Sequence, residues 1–251
     1  MGGSTTLASG VIIDAAATSD LPLLGQDSSR TYRLGIMGGT FDPIHNGHLV
    51  AAEQACRDLG LDVVVFVPAG SPAFKQDRRV STPEDRHAMT LLATADNPRF
   101  LVSRMEVDRP GVTYTVDTLE LLRAHYPSNV ELYFITGADA IIDIITWRNA
   151  RRIAELAHLV GATRPGYDLE RARASIAASG IDFKVSYLEV PALAISSSDL
   201  RARVSRGQSI RYLTSDSVIG YIEKRGLYAS APASYTAPDA LGLMGGMSRE
   251  A

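Results

Sequence analysis

The stretch GGTFDPIHNGH, residues 38–48, lies between a short apolar run, RLGIM at residues 33–37, and an amphipathic stretch at residues 47–59. Apolar residues recur in that last stretch at helical spacing, so the order predicted is strand, glycine-rich turn and helix. Glycines at a strand end let a ligand approach the backbone closely, and the start of a helix offers unpaired N–H groups. This arrangement predicts a phosphate-binding site in an α/β protein.

The alternation of strand and helix continues along the chain. Such alternation predicts a single Rossmann-like α/β domain whose mostly parallel sheet is covered by helices on both faces. Ligands of such sheets bind beyond the carboxyl ends of the strands. The further predicted strands are 63–67, 100–103, 132–136, 158–161 and 183–190, and the further helices are 83–95, 115–124, 138–156 with breaks, 169–178, 198–204 and 215–225.

The two ends of the chain differ in composition from the middle. Residues 1–31 are mostly small and polar without a sustained helical or strand period, and they predict a flexible leader. Residues 229–251 have a similar composition and predict a flexible tail. The predicted nucleotide-binding domain is therefore residues 32–228.

Composition excludes several classes of protein. The chain has 25 Lys and Arg against 28 Asp and Glu, a net charge of −3, which favours neither nucleic acid nor anionic lipid as a partner. No apolar run approaches the roughly 18 residues that a membrane-spanning helix needs. The single cysteine, Cys56, allows no intrachain disulfide, which agrees with a cytoplasmic protein. The sequence leaves open whether the chain forms a homo-oligomer.

His45 and His48 lie three residues apart at the predicted helix start, so both rings can project to one side. Imidazole groups there can donate hydrogen bonds to phosphate oxygens and stabilise charge that develops during group transfer. The whole string resembles the GGTFDPxHxGH signature of the HxGH nucleotidyltransferase superfamily. The resemblance implies catalytic roles for His48 and His45, and ATP contacts at Gly38, Gly39, Thr40 and Phe41.

A second motif, ISSSDLR at residues 195–201, resembles the ISSTxIR segment of the same superfamily. Hydroxyl and N–H groups at a helix start, with an arginine one turn further on, suit the phosphates of ATP. The resemblance implies phosphate contacts by Ile195, Ser196, Ser197 and Ser198, and a catalytic role for Arg201.

A third segment, GADA at residues 137–140 with the only tryptophan eight residues after its aspartate, resembles bacterial nicotinate-nucleotide adenylyltransferases, most closely the actinobacterial ones. A carboxylate can accept from two ribose hydroxyls, and an indole face suits a flat pyridinium ring. TYT at residues 113–115 matches a further segment of this family. The resemblance implies ATP contacts at Gly137 and Asp139, and nicotinate mononucleotide contacts at Asp42, Thr115, Trp147 and Arg148.

Two further segments match the family less fully. RPGY at residues 164–167 resembles a family motif that brings a cation, here Arg164, to the ATP site. SPAFK at residues 71–75 stands where the family has a PPHK-like loop, which implies that Lys75 approaches the triphosphate and acts in catalysis. A solvated surface position is an equal alternative for Lys75.

The expected reaction joins ATP and nicotinate mononucleotide into nicotinate adenine dinucleotide, with release of pyrophosphate. Mg²⁺ is expected to arrive bound to ATP, because no cluster of carboxylates that could cage the ion is evident, so no metal site on the protein is predicted. The alternatives are a phosphopantetheine or CTP-dependent transferase of the same superfamily, an enzyme that prefers nicotinamide mononucleotide, and a nucleotide-binding regulatory module without turnover.

Overall fold

In a computed structural model, which describes residues 4–6, 12–14, 18–72, 80–163, 166–191 and 194–229, six parallel strands form one sheet. Its spatial order is β10-β9-β8-β3-β4-β6. These strands are β3 (Tyr32–Gly39), β4 (Val63–Pro68), β6 (Phe100–Val102), β8 (Val130–Gly137), β9 (His158–Thr163) and β10 (Val185–Glu189). Two small pairs complete the set, β1 (Ser4–Thr6) antiparallel to β2 (Ile12–Asp14), and β5 (Ser71–Pro72) parallel to β7 (Val112–Thr113).

Helices cover both faces of the six-stranded sheet, as predicted. Side chains alternate along each strand, so β4 directs Val63 and Val65 into one apolar core and Val64 and Phe66 into the other. The helices are α1 (Asn46–Leu59), α2 (Pro83–Thr94), α3 (Thr115–His125), α4 (Ala138–Asp143), a 3-10 turn (Ile144–Thr146), α5 (Ala150–Leu156), α6 (Leu169–Ala178), α7 (Ser197–Ser205) and α8 (Asp216–Arg225). Helices α3, α4 and α5 pack into the first core, and α1, α2, α7 and α8 into the second.

The connections between strands run toward one edge of the sheet after β3 and toward the other edge after β8. From β3 the chain runs outward through β4 to β6, and it then returns to place β8 on the other side of β3. In an open parallel sheet this reversal opens a crevice at the carboxyl ends of the two central strands. Gly39 ends β3 and Gly137 ends β8, so the GGTFDPIHNGH and GADA segments meet at this crevice.

The fold extends N-terminally beyond the predicted boundary at residue 32. Asp20 accepts hydrogen bonds from the Ser103 hydroxyl at 2.8 Å and from the Arg104 N–H at 2.7 Å. Leu21 is buried, and the Tyr126 hydroxyl donates to the Pro22 carbonyl at 2.8 Å. Residues 18–31 of the predicted leader therefore pack on the domain. The predicted tail lies outside the described residues beyond residue 229.

Among the helices that the structure describes, none combines the length and the apolar character needed to cross a membrane.

Candidate active site

The two histidines of the first motif stack on each other at the start of α1. Their ring centroids lie 3.7 Å apart with an interplanar angle of 22°. The His45 backbone N–H donates to Nδ1 of His48 at 3.2 Å. Because Nδ1 accepts this bond, a neutral His48 ring carries its proton on Nε2, which makes Nε2 a hydrogen-bond donor. The loop thus fixes both the position and the tautomer of His48.

Two cavities open at the carboxyl edge of the sheet, and they share Gly38 of β3 and Thr136 of β8. The smaller, about 260 Å³, lies against the start of α1, where His48 and Gly47 form part of its wall. The larger, about 830 Å³, lies on the opposite side of the two strands. Two ligands bound in these cavities would meet beside the strand ends.

Two glycines of this loop lie where a side chain would crowd its neighbours. A Cβ atom on Gly39 would lie 2.8 Å from the Phe41 ring, closer than packed carbon atoms approach. A Cβ atom on Gly47 would lie 3.1 Å from Nδ1 of His45. The Phe41 ring in turn meets the His48 ring edge-on at 5.1 Å. The glycines therefore permit the aromatic contacts that hold His48.

A buried arginine on α2 holds the same loop through hydrogen bonds. It was not identified from the sequence. Arg86 on α2 is 1% exposed, and its guanidinium donates to three carbonyl oxygens. The partners are Thr40 at 2.9 Å, Gly70 at 2.9 Å and Ser81 at 3.1 Å. A sequence signal exists, because Arg86, Met89, Thr90 and Ala93 share one helical face with the spacing of a buried stripe.

Asp42 occupies a position that differs from the one implied for it. Its carboxylate is buried, lines neither cavity, and accepts from the Tyr228 hydroxyl at 2.6 Å. Burial and the adjacent carboxylate raise the pKa of Tyr228, so the phenol is a neutral donor. Asp42 therefore anchors the loop internally in this structure. Tyr228 was not identified from the sequence, where a lone tyrosine after a helix carries no signal.

The second motif joins the first through direct hydrogen bonds. Arg201 donates to the Asp42 carbonyl at 2.7 Å and to the Ser198 hydroxyl at 3.2 Å. The Ser197 hydroxyl donates to the Pro43 carbonyl at 2.8 Å, and the Ser196 hydroxyl caps α7 by accepting from the Asp199 N–H. Ile195, which precedes the cap, packs against the second core. The start of α7 and the start of α1 thus lie side by side.

Three of the four residues implied for the pyridine nucleotide, Thr115, Trp147 and Arg148, line the larger cavity, and Asp42 does not. Trp147 is half-buried there, with its ring edge-on to Phe134 at 6.2 Å between centroids. The Arg148 guanidinium lies 4.6 Å from the centre of the Tyr114 ring. The wall of the larger cavity also includes Gly38, Gly39 and Thr40, which the resemblance implies for ATP, and of these only Gly38 lines the smaller cavity as well.

Four further residues implied for ATP or catalysis are not among those that line the larger cavity. Gly137 borders the smaller cavity, whereas Asp139 is exposed at the start of α4 and lines neither cavity. Lys75 and Arg164 lie outside the described residues. The roles predicted for the Asp139, Lys75 and Arg164 side chains therefore stay expectations from the sequence.

We expect Tyr228→Phe to lower the free energy of unfolding by about 1.5 to 3 kcal/mol, because it removes a hydrogen bond to a buried carboxylate. Urea denaturation measures the change. Tyr212→Phe is the matched control, because Tyr212 is 85% exposed and its replacement should change stability by less than about 0.5 kcal/mol. Equal stabilities of the two variants would contradict the anchoring role of Tyr228.

Known proteins resemble this chain over nearly all of the described domain. A family model described as cytidylyltransferase-like matches residues 36–203. A relative from Frankia alni, named "Probable nicotinate-nucleotide adenylyltransferase", is 60% identical over 194 residues, which is 77% of this chain and 99% of the relative. A relative of the same name from Corynebacterium glutamicum is 53% identical over 199 residues, or 79% of this chain and 89% of the relative.

Solved structures share the fold at lower sequence identity. Nicotinic acid mononucleotide adenylyltransferase from Plasmodium falciparum, complexed with NaAD, superposes with a TM-score of 0.63 at 21% identity, covering 78% of this chain and 97% of that chain. A structure of the same enzyme complexed with APC matches equally well. These two structures support the sheet order and helix placement described above.

Proposed function

Because this chain belongs to the nicotinate-nucleotide adenylyltransferases of the cytidylyltransferase-like family, we propose that it transfers the adenylyl group of ATP to nicotinate mononucleotide. The products are nicotinate adenine dinucleotide and pyrophosphate. The observation that carries this assignment in the structure is the pair of cavities that share Gly38 and Thr136, with His48 in the wall of one and Trp147 in the wall of the other.

In this proposal each cavity receives one substrate. The smaller cavity, next to the N-terminus of α1, receives ATP, because helix N–H groups and the positive end of the helix dipole attract phosphate. The larger cavity, lined by Trp147 and Tyr114, receives the pyridine ring of the mononucleotide. The two substrates then present their reacting phosphates at the shared strand ends.

The reaction needs no nucleophile from the protein. A phosphate oxygen of nicotinate mononucleotide attacks the α-phosphorus of ATP, and the bond from that phosphorus to the β-phosphate oxygen breaks as pyrophosphate leaves. Catalysis is then positioning together with stabilisation of charge on the transferring group. His48 would donate from Nε2 to an oxygen of the α-phosphate, and His45, stacked on it at 3.7 Å, holds that ring in place.

Arg201 and the start of α7 would hold the β- and γ-phosphates. The Arg201 guanidinium uses Nη1 for the Asp42 carbonyl and Nη2 for Ser198, and a guanidinium carries five N–H donors in total. Donors therefore remain for a phosphate while the anchoring bonds persist. Lys75 and Arg164 are proposed to add positive charge, on the basis of their motifs in the sequence.

Mg²⁺ is proposed to accompany ATP. No carboxylate lines the smaller cavity along the part of the chain that the structure describes, and that part holds no group of three His, Cys, Asp or Glu residues suited to a metal ion. Mg²⁺ commonly keeps several waters and binds substrate phosphates, so an ion carried by the triphosphate fits this lining. It would neutralise negative charge on the phosphates.

We expect Trp147→Ala to raise KM for nicotinate mononucleotide by about tenfold or more, the scale of one lost ring-stacking contact. KM for ATP should change little, because Trp147 lines only the larger cavity. Steady-state kinetics with each substrate varied in turn give both values. Trp147→Phe keeps an aromatic face and should recover most of the loss, whereas an unchanged KM in Trp147→Ala would refute stacking.

One experiment tests the proposed function directly. ATP is supplied with nicotinate mononucleotide, nicotinamide mononucleotide, phosphopantetheine or phosphocholine in turn, the series is repeated with CTP, and pyrophosphate release is measured. Fastest release with ATP and nicotinate mononucleotide supports the proposal. No pyrophosphate release with any pair would favour a nucleotide-binding module without turnover. A preference for CTP or phosphopantetheine would reassign the enzyme within its superfamily. A cytoplasmic location stays a prediction, and whether the chain forms a homo-oligomer stays open.

A further inference from the structure

Arg109, in the loop between β6 and β7, holds a guanidinium group with few partners. Its Nε and Nη1 atoms are buried and make no hydrogen bond to any residue that the structure describes. Its Nη2 donates to the Thr118 hydroxyl at the long distance of 3.4 Å. Buried donors almost always have partners, so two orphaned nitrogens on one cation require an explanation.

The one hydrogen-bond partner described for Arg109, Thr118, belongs to the wall of the larger cavity. Thr118 lines that cavity in the first turn of α3, three residues beyond Thr115. The Thr118 hydroxyl donates to Oε1 of Glu106 at 2.6 Å, and Glu106 also lines the cavity. Arg109 itself does not line the cavity, so the Thr118 side chain lies between its guanidinium and the cavity.

The charge of Arg109 has no carboxylate within ion-pair distance. Across the described ranges, no Asp or Glu oxygen lies within 4 Å of its guanidinium nitrogens. Burial raises the pKa of Glu106, which favours its neutral acid, although Thr118 and Arg109 oppose that shift. Two further charges act on Glu106, Asp117 on α3 and Arg86 on α2. Behind this wall the Arg109 guanidinium therefore has no carboxylate of the described residues paired with it.

We propose that Arg109 is a specificity-determining residue, which acts across Thr118 to make the larger cavity select a mononucleotide with a carboxylate on the pyridine ring over one with an amide. This inference rests on the proposed function. A buried cation attracts a carboxylate strongly through a medium of low polarity, and it attracts a neutral amide much more weakly. The pyridinium charge and the phosphate are common to both mononucleotides, so neither contributes to the discrimination.

The test compares kcat/KM for nicotinate mononucleotide with kcat/KM for nicotinamide mononucleotide in the full-length chain. Arg109→Met should lower the acid-to-amide ratio by about tenfold or more, since it removes the charge and keeps the length of the side chain. Arg109→Lys keeps the charge and should recover part of the ratio. KM for ATP should stay near the wild-type value in both variants, because Arg109 lies on the far side of β3 and β8 from the smaller cavity.

Arg104→Met is the matched control. Arg104 lies five residues earlier, is 41% exposed and pairs with Asp108, so its loss changes net charge equally without altering the cavity wall. Its acid-to-amide ratio should equal that of the wild type. Equal losses for both mononucleotides in the Arg109 variants, or an unchanged ratio, would overturn the inference while leaving the proposed function intact. A wild type that turns over neither mononucleotide would overturn both.

Discussion

We expect His48→Ala to lower kcat by about 10²-fold or more, the scale seen when one preorganised donor to a developing charge is removed. His48 is fixed on three sides, by the His45 N–H at Nδ1, by the stacked His45 ring, and by the edge of Phe41. That rigidity places Nε2 before the reaction begins, so its loss should affect the transition state more than ground-state binding of ATP. Steady-state kinetics together with a direct ATP-binding measurement separate the two effects.

His125→Ala provides the comparison for that result. His125 lies at the end of α3 and lines neither cavity, so its removal should leave kcat within about twofold of wild type, as for most surface substitutions. His48→Asn, which restores an N–H donor of shorter reach, should be less impaired than His48→Ala. Near-normal turnover in His48→Ala would remove this residue from the chemistry.

We expect Arg86→Met to lower the free energy of unfolding by at least about 3 kcal/mol, because three buried carbonyl oxygens lose their donor. Burial lowers the pKa of the Arg86 guanidinium, and the nearby Asp42 carboxylate opposes that effect by favouring the charged form. Since Thr40 belongs to the first motif, its carbonyl would also be released beside Gly39. Turnover should therefore fall as well as stability.

Urea denaturation of Arg86→Met, with Arg86→Lys and Arg57→Met beside it, checks the expected loss. Lysine can reach only part of the three-carbonyl arrangement that a planar guanidinium spans, so Arg86→Lys should lie between wild type and Arg86→Met. Arg57 on α1 has a side chain 68% exposed, and its loss should change stability by less than about 0.5 kcal/mol. A small loss in Arg86→Met, comparable to that of Arg57→Met, would contradict the role of this arginine in holding the loop.

The sheet and its helices could be predicted because their burial follows from local apolar patterns. Short apolar runs such as VVVFV at residues 63–67 correspond to strands buried on both faces, and helical spacing placed α1 and α6 to within a residue. The packing of residues 18–31 was missed for a physical reason. That segment is held by polar bonds, such as those of Asp20 to Ser103 and Arg104, which produce no periodic pattern.

The candidate site also contains residues that could be predicted from the sequence and residues that could not. His45 and His48 could be found because the chemistry is concentrated in one short segment, and the structure brings that segment next to the ISSSDLR motif. The internal role of Asp42 could not be found, since it depends on Tyr228, which is distant in sequence and near in space. Arg109 is a similar case, because burial of two guanidinium nitrogens without a partner among the described residues is a property of three-dimensional packing alone.

The bond between Tyr228 and Asp42 also dictates when the site can exist during synthesis on the ribosome. The loop at residues 40–46 takes contacts from Ser197, Arg201, Thr214 and Tyr228, all of which are translated at least 150 residues later. Most strands of the sheet can pair before then, whereas contacts between residues so far apart in the chain close late. A nascent chain that has not yet emerged to residue 228 therefore lacks contacts that complete this loop, even where its strands have paired.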